Sequence, residues 1–293
     1  MSARIWPLII VVCVGACLLS AAEPQDAERL SFAEAFPFDT GVLRGVLRKD
    51  GRSKGLTDVI DVGTATPIAG MYGIFSHYRL LDDRARYGTA GWEWKSEAKP
   101  LADGAVQVAW TADDAHPLDM KATYRWTRAD TLDLVTEVTA KKDLKGLEVF
   151  LASYFAGFEQ SSVFSKDGLV AAEKGGGDWQ AWVRDDAAAK LLNDGRWKRP
   201  PNPVDWVIKG ALGGAMGIRR DAKTGLVALI MAAKDDCFAV LTPYGEEGHR
   251  SMYLSLFGKD FKAGQAAAAR TRLVIGRGIS DVEAQLQYRR AFE

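Results

Sequence analysis

The chain has 293 residues, and its 38 Lys+Arg balance 38 Asp+Glu, so it carries no net charge with histidine neutral. A balanced chain without a basic block or a charged tail lacks the electrostatic attraction on which non-specific phosphate binding depends, which excludes nucleic acid as an expected partner. Hydrophobic residues make up 47%, an ordinary globular fraction, and the length is enough for one large β domain or two smaller ones.

At the N-terminus Arg4 precedes an uncharged apolar run from Ile5 to Leu19, followed by the small residues Ser20, Ala21 and Ala22. That is the layout of a cleavable signal peptide, and the run is short for a retained transmembrane anchor, which needs about 20 apolar residues. Residues 1–22 are therefore read as a signal and 23–293 as a single domain, exported to the periplasm or secreted. The alternative is a lipoprotein, because Val14-Gly15-Ala16-Cys17 resembles the lipobox in which the cysteine is lipidated, although the apolar Leu18-Leu19 after it argues against. Cys13 and Cys17 lie in the signal, so Cys237 alone remains and no intramolecular disulfide is expected. Stability must come from a sizeable core, with Cys237 as one of its small apolar members.

Helical patterns are few. Asp26 to Phe36 reads as an amphipathic helix, Asp185 to Asn193 as another with acids at its start and Gly195 just beyond, and Ser280-Asp281-Val282-Glu283 as a capping box opening a helix that carries Val282, Leu286 and Phe292. Elsewhere the period is two. Trp92 and Trp94 are placed on one strand face with Glu93 and Lys95 opposite, and Val106 to Trp110, Met120 to Trp126 and Leu132 to Val138 alternate as half-buried strands. Leu147 to Phe158 is a longer, nearly all-apolar strand, and Gly225 to Ala233, Phe238 to Tyr244, Ser251 to Gly258 and Thr271 to Ile275 continue the habit. The spacing favours hairpins over crossovers, and the architecture expected is a mainly β, large antiparallel β-sandwich with a few short peripheral helices. Residues 161–215, with Gly175-Gly176-Gly177 and Arg199-Pro200-Pro201-Asn202-Pro203, read as long loops over one face, and the glycine-rich Gly210 to Gly217 as turns or bulges.

The stretch Pro67-Ile68-Ala69-Gly70-Met71-Tyr72-Gly73-Ile74-Phe75-Ser76-His77-Tyr78-Arg79-Leu80-Leu81, with the late Tyr253-Leu254-Ser255-Leu256-Phe257-Gly258, resembles the galactose mutarotase-like supersandwich. That superfamily includes aldose epimerases, and its fold occurs in polysaccharide lyases and glycoside hydrolases. The resemblance therefore implies a carbohydrate partner. In an epimerase of this fold a histidine serves as acid toward the ring oxygen and a glutamate as base toward the anomeric hydroxyl; the motifs around them are not placed on positions here.

Read from the residues alone, proton transfer at a sugar needs an imidazole or a carboxylate within reach. His77 and His249, the latter beside Glu246 and Glu247 in a turn, are the catalytic candidates. Asp194-Gly195-Arg196-Trp197, near Trp179, Trp182 and Arg184, combines aromatic surface with charged rims and suits the apolar faces and hydroxyl edges of a sugar; with Arg79 these form the expected ligand-binding set. The competing account makes the same aromatics core and the same charges solvated, in a non-catalytic scaffold. No HExxH, CxxC pair, GxSxG or EF-hand loop occurs, so neither metal nor cofactor is expected; calcium at Asp113-Asp114 or Asp235-Asp236 is the weaker reading.

Overall fold

The segments of period two fold as strands in the computed structural model, which describes residues 35–48, 53–70, 72–173, 179–243 and 250–293. A four-stranded sheet comes first, β1 (Ala35–Asp39), β2 (Leu43–Arg48), β3 (Gly55–Asp61) and β4 (Thr66–Pro67), ordered as in the chain. A fourteen-stranded sheet takes β5 (Ser76–Leu81), β6 (Ser96–Pro100), β7 (Val106–Trp110), β8 (Leu118–Arg128), β9 (Thr131–Ala140), β10 (Leu144–Tyr154), β11 (Gln160–Ser165), β12 (Gly168–Ala171) and β13 (Trp179–Val183). It is completed by β14 (Val207–Arg220), β15 (Leu226–Ala232), β16 (Cys237–Pro243), β17 (Ser251–Phe261) and β18 (Ala266–Arg277). Two α-helices are described, α1 (Asp186–Leu192) and α2 (Asp281–Phe292).

The large sheet folds over on itself at β14. The start of that strand, Val207 to Ala211, runs parallel to β13, whereas its end, Met216 to Arg220, pairs antiparallel with β15. One layer is thus β5-β10-β17-β16-β13 and the other β15-β18-β9-β8-β7-β6. Leu147, Val149 and Leu151 of β10 and Leu254 and Leu256 of β17 share a single core with Leu132, Leu134 and Val138 of β9 and Leu273 and Ile275 of β18. This is a β-sandwich, held by side chains each worth about 1.5–3 kcal/mol of burial.

Both layers are covered on their outer faces too. On the first, Phe150, Ala152 and Tyr154, the alternate residues of β10, join Trp197, Val204 and Trp206 from the segment between β13 and β14. On the second, Met216, Ile218, Leu229 and Met231 pack under Ala284 and Tyr288 of α2. Coverage on two sides is why β10 reads as almost continuously apolar.

Several expectations are corrected. The β13–β14 pair is parallel, joined by a crossover through residues 184–206 instead of a hairpin. The glycines of 210–217 lie within β14 and not in turns, although the expected irregularity is there, since the register shifts between Ile208 and Gly210 against β13 and between Leu212 and Gly217 against β11. Both faces are crowded, and a Cβ on Gly214 would stand 2.3 Å from the Tyr288 ring and one on Gly217 2.1 Å from Met252 Sδ. Trp92 and Trp94 do not share a strand face. Gly91 packs against the His77 carbonyl, where a Cβ would come within 2.1 Å, and the 3₁₀ turn Gly91–Glu93 sends Trp94 into the inter-sheet core and Trp92 to the outer face of the first layer. In α2 the Ser280 hydroxyl accepts from the Glu283 amide as the capping box requires, yet Val282 and Leu286 are exposed and the buried face is Ala284 and Tyr288. Of the helix expected at 26–36, only Ala35 and Phe36 are described, and they belong to β1; the signal region 1–22 lies outside the described residues.

Candidate ligand-binding site

The site begins with one extra residue in β5. Phe150 of β10 pairs with Arg79, but the next residue, Leu151, pairs with His77, so Tyr78 is the added residue of a β-bulge. Without it, Tyr78 and Arg79 would face opposite sides. With it, both line one cavity on the outer face of the first layer while His77 turns into the inter-sheet core.

That cavity, of about 260 Å³, is lined by Tyr78, Arg79, Phe150, Tyr154, Trp179, Trp197, Asn202, Pro203, Val204, Trp206 and Tyr253. Its size lies near the lower end of small-molecule pockets and suits one ring more than a long chain. The aromatic walls are mutually braced: Phe150 and Trp197 meet edge-on with centroids 4.7 Å apart, Trp197 and Trp206 at 5.3 Å and 89°, and Trp179 and Trp206 at 5.6 Å and 86°. Edge-to-face pairs of this kind each add about 0.5–1.5 kcal/mol beyond area burial and fix the ring orientations. Beside the cavity Tyr78 stacks on Trp92 at 4.5 Å, and Trp92 on Tyr72 at 5.7 Å.

The polar groups of the lining include several donors. The Arg79 guanidinium lies 4.7 Å from the Trp197 ring and 5.1 Å from that of Tyr78, and one of its terminal nitrogens donates to the Asn202 carbonyl at 2.9 Å. Arg79 Nε, Trp197 Nε1 and Trp206 Nε1 are buried donors that find no hydrogen-bond partner among the described residues. A buried donor left unmade costs about 1–3 kcal/mol; these three are sealed behind the lining, so the donors left for a ligand oxygen are the terminal nitrogens of Arg79.

The roof of the cavity comes from the crossover. Asp185 caps α1 by accepting from the Ala188 amide at 2.8 Å, Gly195 takes φ 92° beyond the helix, and the 3₁₀ turn Arg196–Lys198 delivers Trp197. A buried clamp fixes this turn. Arg196 donates to both Asp194 carboxylate oxygens from Nε, at 3.1 and 3.0 Å, to the Gly146 carbonyl at 2.6 Å and to Glu148 at 3.4 Å. Ser255 donates to the other Glu148 oxygen at 2.7 Å. Glu148 is fully buried, and burial raises its carboxyl above the usual range, with Arg196 and Ser255 pulling it back.

Of the sequence-selected residues, Arg79, Trp179 and Trp197 line the cavity. Five others are placed elsewhere. His77 is fully buried between the sheets, its Nε2 2.9 Å from Thr136 Oγ1 and its ring 5.3 Å from that of Trp110; burial lowers its pKa to about 3, and the position does not suit proton exchange with a ligand. Trp182 points into the same core. Arg184 pairs with Asp185 at 2.9 Å, away from the lining. Asp194 and Arg196 are the clamp under the roof and hold Trp197 from behind. Glu246, Glu247 and His249 lie outside the described residues. Tyr78, Phe150, Tyr154, Asn202, Trp206 and Tyr253 were missed; Phe150, Tyr154 and Tyr253 occupy alternating positions whose burial on both sides made them look like core alone.

No protein-family model and no curated protein matches the chain. Solved structures do resemble it. The Slr1438 protein of Synechocystis sp. PCC 6803 superposes with a TM-score of 0.50 at 9% identity, covering 85% of this chain and 99% of that one. A galactose mutarotase related enzyme of Lactobacillus acidophilus gives 0.45 at 8% identity over 83% and 98%. Heparan sulfate lyase HepC of Pedobacter heparinus gives 0.47 at 9%, over 84% of this chain and 36% of that one. At such identities the likeness concerns fold alone: the chain is similar in structure to a galactose mutarotase related enzyme and to a lyase that carries a domain of like fold.

Proposed function

We propose that the protein binds carbohydrate in the aromatic cavity on the outer face of the first layer, and that it does so outside the cytoplasm. The observation that carries the binding reading is the combination of Trp179, Trp197, Trp206, Tyr78 and Tyr253 with the Arg79 guanidinium in one ring-sized cavity. A pyranose presents C–H faces that pack on aromatic rings and hydroxyls that accept from N–H groups, so the same wall satisfies both halves of the ligand. The names of the structural neighbours, a mutarotase related enzyme and a heparan sulfate lyase, are in keeping with a sugar ligand. Export rests on the N-terminal sequence, with its apolar run and Ser20-Ala21-Ala22.

Among the described residues the lining contains no carboxylate and no imidazole, so the geometry supports binding more directly than bond cleavage. Acid and base, on this proposal, come from His249 with Glu246 or Glu247, the pair that the sequence offers for epimerase, lyase or hydrolase chemistry.

A glycan-array screen of the protein, beside Trp179→Ala and Tyr78→Ala, tests the reading. Both residues are only half-buried, so their removal leaves the fold intact, as circular dichroism would verify. Each truncation is expected to weaken binding about tenfold, equivalent to about 1.4 kcal/mol. Absence of any glycan bound above background, with folded protein, would reject the proposal in favour of a non-catalytic scaffold.

A further inference from the structure

Resting on that carbohydrate reading, we infer that the cavity selects a sugar carrying a carboxylate, a hexuronate, whose anion faces Arg79. The carbohydrate reading asks only for aromatic faces and donors; a charged group in the lining asks for more. Arg79 is 5% exposed and sits in the wall with two aromatic rings about it. No acidic side chain forms an ion pair with it among the described residues, and its Nε donor is unpaired.

The charges around it sharpen the point. Arg86 lies 5.9 Å from the Tyr78 ring, on which Arg79 also rests, and its guanidinium pKa is lowered by burial and by repulsion from Arg79. Arg86 donates to the Pro201 and Thr89 carbonyls and is hydrogen-bonded to the Tyr78 hydroxyl, and Arg199 donates to the carbonyls of Asp82 and Asp83, so no carboxylate is among these partners. The acids close by are otherwise engaged or remote: the Asp82 carboxylate accepts from Tyr87 and from the Arg84 and Ala85 amides, and Glu93 is exposed and acts on Arg86.

A buried cation without a counter-ion is costly, and a ligand anion that arrives with its own ring removes that cost while the ring packs on the tryptophans. The guanidinium has a planar donor fork matched to a carboxylate, and its two terminal nitrogens, which unlike Nε are not sealed without a partner, offer one edge of that fork.

Isothermal titration with glucuronate, galacturonate, their neutral parents glucose and galactose, and glucose 6-sulfate tests this, on the intact chain and on Arg79→Met and Arg79→Lys. Expected are a uronate binding at least about tenfold more tightly than its parent, an affinity that falls as salt is raised, loss of the preference in Arg79→Met and partial retention in Arg79→Lys. Thermal melting checks that both variants are folded; should Arg79→Met fail to fold, the parent comparison and the Arg79→Lys variant still decide. Equal binding of uronate and neutral sugar overturns the inference and leaves the carbohydrate reading standing. A preference for the sulfate ester overturns the carboxylate assignment, and no binding by any of the five overturns both.

Discussion

His77 shows how a side chain chosen for chemistry can be a pH liability of the fold. Its ring is sealed between the layers against Trp110 and Thr136, and burial holds it neutral down to about pH 3. In the unfolded chain a histidine takes up its proton near pH 6.5. Between those values the unfolded state binds one proton more than the folded state, so stability from this residue is complete above pH 6.5 and lost as pH falls toward 3, at about 1.4 kcal/mol per pH unit. Urea denaturation at pH 7.0 and 4.5 is expected to show a loss from this source of order 2–3 kcal/mol that is absent in His77→Gln. An equal acid loss in that variant would assign the effect to other groups. Sequence alone could not separate a core histidine from a reacting one here, because the bulge at Tyr78, which decides its direction, becomes visible only once β10 is the neighbour.

At the scale of elements, α2 separates what capping tells from what packing decides. Ser280 and Glu283 mark the start correctly, but the same segment carries apolar residues on two sides, and tertiary contact chooses Ala284 and Tyr288. Gly214 leaves room for the Tyr288 ring, and the Tyr288 hydroxyl accepts from the buried Ala215 amide at 3.1 Å. Tyr288→Phe removes that acceptor and is expected to cost about 1–3 kcal/mol, whereas Val282→Ser, at a side chain 67% exposed, should change stability by less than about 0.5 kcal/mol. Chemical denaturation of the two variants checks the order; a larger loss from Val282→Ser would return the helix to the face that hydropathy suggested. The strands were more legible, since period two survives wherever one face is wet, as in β8 with Met120, Ala122 and Tyr124 inward.

For the whole molecule, the sandwich was readable from its many short alternating runs and from the lack of a βαβ series, but the assignment of strands to layers was not. That assignment depends on β14 leaving one layer and entering the other, and on pairs such as β15 with β18 that are far apart in sequence. The link between Arg196 and Glu148, 48 residues apart, was equally hidden. Removing one partner of such a buried pair strands the other charge: Arg196→Ala is expected to lower stability by about 3–5 kcal/mol, and pairing it with Glu148→Leu to recover much of the loss. Denaturation midpoints for the single and double variants measure this, and additive losses would show that the clamp is not a coupled unit. The crossover itself has a further consequence. Because residues 185–206 leave after β13 and return at β14 outside the named strands, the roof is a cassette: its length and composition can be exchanged while the strands beneath keep their register. It is tied to the rest of the fold through Arg196 to Glu148 and Gly146, Arg199 to the Asp82 and Asp83 carbonyls, and Asn202 to Arg79, so a graft must keep these anchors and bring its own cation for the Glu148 carboxylate or replace that residue with an apolar one.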